Sequence, residues 1–246
     1  MARGIGKEFM EKTRYEHLEA SDQSKGLPQP PLELAPDEGK EIFSLPDPKG
    51  IDLGHVDFRE ILERRRSVRA YSDEPLTLEE LSWLLWSCQG VKDVVARPAT
   101  LRTVPSAGAR HPFETYLLVN RVEGLEPGLY RFLAVDHKLQ AVDLGGGIAE
   151  KIADASHRQR FVKTSAATFI FTAVAYRMYW RYGERGYRYM HLDAGHVCQN
   201  LYLAAEAIGG GACAIGAFYD EGLNSILGLD GVNQFAIYIA PTGKKP

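Results

Sequence analysis

The stretch Arg64-Arg65-Arg66-Ser67-Val68-Arg69-Ala70-Tyr71 stands where a helical pattern ends and an extended one begins. Four arginines fall within six positions, with a serine among them. Two readings are open on these residues alone. Cations at a helix C-terminus are favourable against the negative end of the helix dipole, which makes the run a solvated helix end. Alternatively, so much positive charge at one junction of a folded domain holds an anion. Phe58, Ile61 and Leu62 precede the run at the i, i+3, i+4 spacing of a helix face, so the compact domain begins near Asp57. Ser67 to Tyr71 reads as a short extended stretch, and Ser72-Asp73-Glu74-Pro75 as a turn.

Downstream, Thr77 and Glu80 form a T-x-x-E capping box for a helix through Cys88, with Leu78, Leu81, Leu84, Leu85 and Cys88 as its buried stripe and Gly90 as its stop. Residues 92–104 read as a loop in which Lys92, Arg97 and Arg102 are solvated. Pro105-Ser106-Ala107-Gly108-Ala109-Arg110-His111-Pro112 follows, small residues between prolines whose backbone can approach something flat; an ordinary turn is the plainer alternative. Phe113–Val119 is β-rich, and residues 128–132 and 139–142 read as a hairpin turning at Asp136-His137-Lys138. Residues 148–155 form a short helix, and Ala166–Ala175 a central strand covered on both faces. Residues 186–208 form the main helix, with Met190, Ala194, Val197, Leu201, Ala204 and Ile208 in an a/d seam. That seam suits either a dimer axis or the core of one domain. After three glycines, residues 212–218 read as a strand, Asp220 as the cap of a helix through Leu227, and residues 235–240 as the last strand. Elements alternate without a clean βαβ repeat, which favours an α+β domain, and no G-x-G-x-x-G follows a strand to open a helix.

Residues 1–50 differ from the rest, with six prolines, many charges and few periodic apolar positions. They read as an extended N-terminal arm, disordered or lying over a neighbouring subunit. The whole chain of 246 residues is 45% hydrophobic and 25% charged, ordinary for a soluble globular protein. A net charge of -3 argues against a general nucleic-acid binder. No run of about 18 apolar residues predicts a membrane span, and the start lacks the apolar core of a secretory signal. Cys88, Cys198 and Cys213 are scattered and odd in number, so neither a disulfide framework nor a zinc site is expected, and a cytoplasmic setting is the default.

Five stretches together resemble the nitroreductase superfamily, and within it the SagB-type dehydrogenase group. They are Arg65-Arg66-Ser67-Val68-Arg69; Pro105-Ser106-Ala107-Gly108; Tyr182-Gly183-Glu184-Arg185-Gly186-Tyr187-Arg188; Ala194-Gly195-His196 through Gln199-Asn200-Leu201; and Gly211–Phe218. The likeness runs from about Asp57 to the C-terminus. It implies an α+β nitroreductase-like fold, a mixed or antiparallel central sheet flanked by helices, with a long central helix at the axis of a homodimer. It makes residues 51–246 a domain binding FMN at the subunit interface. By that resemblance Arg65, Arg66, Ser67 and Arg69 meet the phosphate, ribityl chain and pyrimidine edge. Pro105, Ser106, Ala107 and Gly108 come from the other subunit, Ala214, Ile215 and Gly216 lie against the ring, and Lys244 or Lys245 reaches the phosphate. The helix with Ala194 and Val197 is then the dimer axis.

The residue types suit that chemistry. A phosphate dianion needs fixed cations, and the planar fork of arginine matches it. A cation at the pyrimidine edge faces charge that grows as a flavin is reduced. The resemblance implies an FMN-dependent oxidoreductase passing two electrons from a reduced donor, with NAD(P)H a candidate, to a small-molecule acceptor. One alternative is oxidation of azoline heterocycles in a peptide natural product, as in the SagB group. Those enzymes typically carry a lysine-tyrosine pair where this chain has Arg181-Tyr182, and arginine does not give up its proton. Arg181 and Tyr182 remain the candidate catalytic side chains. Another alternative is a flavin-binding protein without robust turnover. Arg185, Tyr187 and Arg188 line the pocket or make structural ion pairs, His111 and His196 read as satisfied, partly buried histidines, and Cys213 as a small buried residue. Trp83, Trp86 and Trp180 read as packing residues.

Overall fold

The computed structural model describes residues 4–96 and 98–246. The N-terminal segment contributes helix α1 (Ile5–Lys12) and strand β1 (Ile42–Ser44). Helix α2 (Phe58–Arg64) is capped by Asp57, whose carboxylate accepts from the amides of Arg59 and Glu60 at 2.8 and 3.2 Å. Helix α3 (Leu78–Gln89) opens on the Thr77–Glu80 capping box, both reciprocal bonds being present. Strands β2 (Val91–Val95) and β3 (Ala99–Arg102) pair as a hairpin. A meander follows: β4 (Phe113–Val119), β5 (Gly128–Leu133) and β6 (Lys138–Asp143). Then come α4 (Ile148–Ala155), α5 (Phe161–Thr164), β7 (Ala167–Val174), α6 (Ala175–Tyr182) and α7 (Gly186–Ala207). Strand β8 (Gly210–Ala212), α8 (Asp220–Leu227) and β9 (Gln234–Lys244) complete the chain.

Seven strands form one sheet in the order β1-β6-β5-β4-β7-β9-β8, every neighbouring pair antiparallel. Alternation along β7 explains its unbroken apolar run. Phe169 and Phe171 face α3 and α7, in one core with Leu81, Leu85 and Leu201, while Ile170 faces α4 and α8, with Ile152 and Leu223. Both faces are covered, so both need apolar side chains. The α+β class, the antiparallel sheet and the long central helix follow the sequence reading.

The seam of α7 lies within the chain. Met190, Ala194, Val197, Leu201 and Ala204 are buried in the core shared with α3. Ala194 and Val197 are therefore core residues of the chain itself, so a dimer contact along α7 would use its other face. The opposite face leaves Leu192 60% exposed, with Gly195 and His196 beside it. On α2 only Ile61 of the apolar face is buried; Phe58 and Leu62 are 62% and 48% exposed.

Five further expectations are corrected. Residues 92–104 are not all loop: Val91, Val94 and Val95 carry the β-branched signal of the hairpin strand. Arg102 is buried, not solvated, and donates to Gln89 Oε1 at 2.9 Å and Thr100 Oγ1 at 3.1 Å. Arg97 lies outside the described residues. The strand expected at 212–218 ends at Ala212, and only an isolated Ile215–Ile239 bridge continues it. Asp220 is the first residue of α8, and Tyr219 holds the cap position. His196 is exposed, whereas His111 is buried.

The N-terminal segment docks along its own chain. Strand β1 pairs with β6 at the sheet edge. Arginines on α6, on the 3-10 turn Gly183–Arg185 and on α7 take the preceding stretch in sequence. Arg177 Nε donates to the Pro31 carbonyl at 2.8 Å, Arg181 to Gln23 Oε1 at 3.2 Å, Arg185 to the Thr13 carbonyl at 2.9 Å, and Arg188 to Thr13 Oγ1 and the Met10 carbonyl. Trp180 Nε1 donates to the Leu27 carbonyl at 2.9 Å. Arg185 and Arg188 thus bind backbone and aromatic faces, Tyr15 and Phe9, in place of the ion pairs expected of them.

Candidate active site

The C-terminus of α2 delivers the arginine run to the edge of the sheet. Val68 donates to the Ala212 carbonyl at 2.9 Å, and Ser67 bridges Ala212 in parallel, so the run lies beside the loop that leaves β8. Arg64 pairs with Glu60 at 3.5 Å, but among the described residues Arg65, Arg66 and Arg69 make no ion pair. Three cations without a carboxylate partner, beside a loop of small residues, suit an anionic ligand better than a helix end answering only its own dipole. Arg65 lies over the ring of Tyr202, 5.3 Å from its centroid. The Tyr202 hydroxyl shares a hydrogen bond with Ser67 Oγ at 3.0 Å and accepts from the Ala214 amide at 2.7 Å.

Of the three residues expected against a ring, two have committed amides. Ala214 N–H goes to Tyr202 and Ile215 N–H to the Ile239 carbonyl at 2.7 Å. Gly216 is exposed, and a side chain placed there would meet open space. It borders an open cleft of about 530 Å³ between α7 and β9, lined also by Gly195, Phe235 and Tyr238. Lys244 and Lys245 close the same edge but are paired: Lys244 with Glu80, the capping-box glutamate, and Lys245 with Glu206 at 2.5 Å. Their charges are partly answered within the chain, which leaves the arginines as the freer cations.

The second group of residues, in the loop before β4, lies against another part of α7. Pro105 is exposed and Ser106 to Gly108 are half-buried. The Ala107 amide donates to the carboxylate of Asp193 at 3.3 Å. Gly108, at φ +58°, lies so close to Tyr182 Oη and Arg181 that a Cβ would fall 2.5 and 2.6 Å from them. Glycine suits both that conformation and that approach, since any side chain there would be strained and would push Tyr182 and Arg181 aside. Arg181 Nε donates to the Tyr182 hydroxyl at 3.3 Å. The candidate catalytic pair therefore sits directly over the 105–108 loop. Asp193 and Tyr202 are nine residues apart on one helix, about 13 Å at 1.5 Å per residue. The two groups thus face different lengths of α7.

Charge beneath the second group is unusual. His111 is buried beside Arg102 and Arg110, and burial followed by those two cations pushes its pKa down to about 3. Burial also lowers Arg102 to about 10. Glu114 and Arg177 form a 2.5 Å ion pair with both side chains 3% exposed. Cys88, Cys198 and Cys213 are free and buried, and burial raises all three thiols. Among the described residues no cluster of three or more His, Cys, Asp or Glu side chains is placed to hold a metal ion, and no helix is long and apolar enough to cross a membrane.

Asp193 and Tyr202 were not singled out from sequence. Asp193 carries a visible signal: it lies three residues after Met190 and four before Val197, a carboxylate on the buried face of a helix. Tyr202 carries none, since a tyrosine beside the seam looks like any flanking aromatic.

The chain is an antiparallel α+β sheet flanked by a long helix, with three arginines that make no ion pair among the described residues beside a loop of small residues. The chain matches the nitroreductase family over residues 62–244, three quarters of its length, and belongs to that family. It is 37% identical over 194 residues to a protein of Methanocaldococcus jannaschii whose name assigns it to the nitroreductases, covering 79% of this chain and 94% of that one. It is 35% identical over 143 residues to the trifolitoxin-processing protein TfxB of Rhizobium leguminosarum bv. trifolii, covering 54% of this chain and 38% of TfxB. That likeness supports the SagB-type group within the family. A solved nitroreductase-type structure from Anabaena variabilis superimposes with a TM-score of 0.66 at 31% identity, over 77% of this chain and 38% of that one. The chain thus spans almost all of the archaeal relative but under two fifths of TfxB and the Anabaena chain. A Desulfovibrio desulfuricans protein solved with FMN shares the fold, with a TM-score of 0.55 at 16% identity over 78% of this chain and 88% of that one.

Proposed function

We propose that this chain is an FMN-dependent oxidoreductase that passes two electrons between a reduced donor, with NAD(P)H the candidate, and a small-molecule acceptor. The observation that carries the reading is the set of cations Arg65, Arg66 and Arg69, which make no ion pair among the described residues and lie beside the loop leaving β8. When bound, the cofactor supplies the hydride and electron chemistry, and the protein supplies orientation and charge. Arg65, Arg66 and Arg69 hold the phosphate and ribityl chain and put positive charge at the pyrimidine edge. Ser67 adds a hydroxyl, and Gly216 lets the backbone approach. Lys244 and Lys245 join the phosphate only by sharing their carboxylate partners.

The separation of the two groups along α7 favours a site completed by a second copy. Pro105, Ser106, Ala107 and Gly108 of one subunit, with Arg181 and Tyr182 above them, then face the arginines of the other. Exposed Phe58, Leu62 and Leu192 give such a homodimer apolar surface to bury. Arg181 remains charged in this arrangement and holds Tyr182, so Tyr182 is the side chain available for proton exchange with an acceptor.

The likeness to TfxB favours one second reading, oxidation of a heterocycle in a peptide precursor. It meets a specific obstacle, because Arg181 cannot serve as the base that a lysine provides.

The test begins with the absorption spectrum of freshly purified protein and identification of any flavin released by heat. FMN near one per subunit supports the reading. Protein that is colourless and takes up no added FMN defeats it. In the Arg65→Ala/Arg69→Ala double variant FMN occupancy is lost; full occupancy returns the arginines to a solvated helix end. Anaerobic NADH or NADPH bleaches the bound flavin if nicotinamide is the donor. A flavin that neither reagent bleaches points to a peptide substrate or to binding without turnover.

A further inference from the structure

Tyr202 touches both stretches that the flavin reading assigns to one subunit's half of the site. Its hydroxyl accepts the Ala214 amide at 2.7 Å and bonds Ser67 Oγ at 3.0 Å, while its ring lies under the Arg65 guanidinium. Besides Tyr202, the 65–69 run is tied to the segment leading into the 214–216 loop through Ala212, and through Tyr71, whose hydroxyl donates to the Val68 and Pro241 carbonyls. The Tyr202 ring is anchored on α7, one position past fully buried Leu201, so the hydroxyl is presented from a rigid element. The bonding pattern also sorts the loop's donors. Ala214 and Ile215 point their amides inward to Tyr202 and Ile239, and the Gly216 amide has no protein partner among the described residues.

We propose that Tyr202 is a positioning residue for the flavin. It locks Arg65, Ser67 and Ala214 into one cradle before the cofactor arrives, and leaves the Gly216 amide as the loop's donor to it. This rests on the flavin reading above. A cradle ordered in advance spares the ordering cost at binding, so its loss appears as weaker affinity. The cation over the ring belongs to the same arrangement, because a guanidinium stacked on an aromatic face keeps its edge donors free for a ligand.

The test is Tyr202→Phe, which keeps the ring and removes the hydroxyl. Titration of apoprotein with FMN, followed by quenching of flavin fluorescence, shows affinity weakened about tenfold, the scale expected for losing two hydrogen bonds. At saturating FMN the midpoint potential of the bound flavin shifts negative, because the donors at its edge are less well aimed. Leu201→Ala, one residue away in the core, serves as control: it lowers the thermal midpoint and leaves the potential in place. Unchanged FMN affinity in Tyr202→Phe, with wild-type binding intact, overturns the role of Tyr202 and leaves the flavin site standing. Failure of the wild type to bind FMN overturns both. If Tyr202→Phe does not fold, amide exchange in the wild-type apoprotein decides: Ala214 is protected and Gly216 exchanges fast, whereas an Ala214 amide exchanging like an open loop overturns the proposal.

Discussion

Asp193, buried on α7, accepts the amide proton of Ala107, both carboxylate oxygens lying 3.3 Å from that nitrogen. The bond ties the 105–108 loop to the long helix. Burial raises the Asp193 carboxyl above the usual carboxylate range, opposed by hydrogen bonds from Ser106 and Ala107 and by the charge of His196. A pKa higher in the folded state than in the unfolded one makes stability fall as pH rises through the folded value. Asp193→Asn keeps an acceptor for Ala107 but cannot ionise. The thermal midpoint of the variant minus that of the wild type therefore grows more positive from about pH 4 to about pH 8. A flat difference across that range would show that burial does not govern this carboxyl.

His111 gives the opposite slope. Its pKa is depressed to about 3 by burial and by Arg102 and Arg110, so the folded state keeps it neutral where the unfolded state protonates it. Stability contributed this way is complete above the ordinary histidine pKa of about 6.5 and is lost as pH falls toward the folded value. Replacing His111 with Gln removes the titration. Between about pH 6 and about pH 4 the wild type loses thermal midpoint faster than the variant. Parallel curves would mean that His111 is free to protonate in place.

The reach of the sequence can be followed through single residues. Thr77 and Glu80 declared their helix start because a capping box is closed within four residues and needs no tertiary partner. The alternating faces of β7 were equally visible, since burial on both sides imposes an apolar run. The burial of Arg102 is hidden from sequence because it is set by Gln89 and by the pairing of β2 with β3, neither of which a window around Arg102 contains. The a/d seam of α7 is legible in the sequence, but what it packs against is not, since α3 and a second subunit ask for the same apolar spacing. The docking of the N-terminal segment was hidden more deeply. Its acceptors are chiefly backbone carbonyls of Met10, Thr13, Leu27 and Pro31, and carbonyls have no sequence signature.

Arg177 and Glu114 test the buried charge directly. Each is almost fully shielded, and Glu114 also accepts the Leu34 amide at 2.9 Å. Arg177→Ala leaves the Glu114 carboxylate buried without its cation, a change that costs about 3–5 kcal/mol in comparable pairs. Denaturant unfolding at neutral pH reads this as a lower midpoint with an unchanged slope. Changing both residues together, Arg177→Met with Glu114→Gln, costs less than Arg177→Ala alone, because no bare charge remains. If the double variant were the less stable, the pair would be contributing attraction in excess of its desolvation.

The arginines that receive the N-terminal segment differ in depth, and that ranks the consequences of losing them. Arg185 and Arg188 hold the outer part, residues 10–13, on the half-buried start of α7. Arg177 and Trp180 hold residues 27–31 from buried positions on α6. Replacing Arg185 and Arg188 with alanine frees α1 at a cost of about 1 kcal/mol per lost bond, and hydrogen exchange rises only before residue 20. Deleting residues 1–40 strips buried donors of their acceptors, each worth about 1–3 kcal/mol, while leaving β1 on the β6 edge. The deletion therefore lowers the thermal midpoint far more than the double substitution does. Equal midpoints for the two would mean that residues 20–40 add nothing to the fold beyond what α1 supplies.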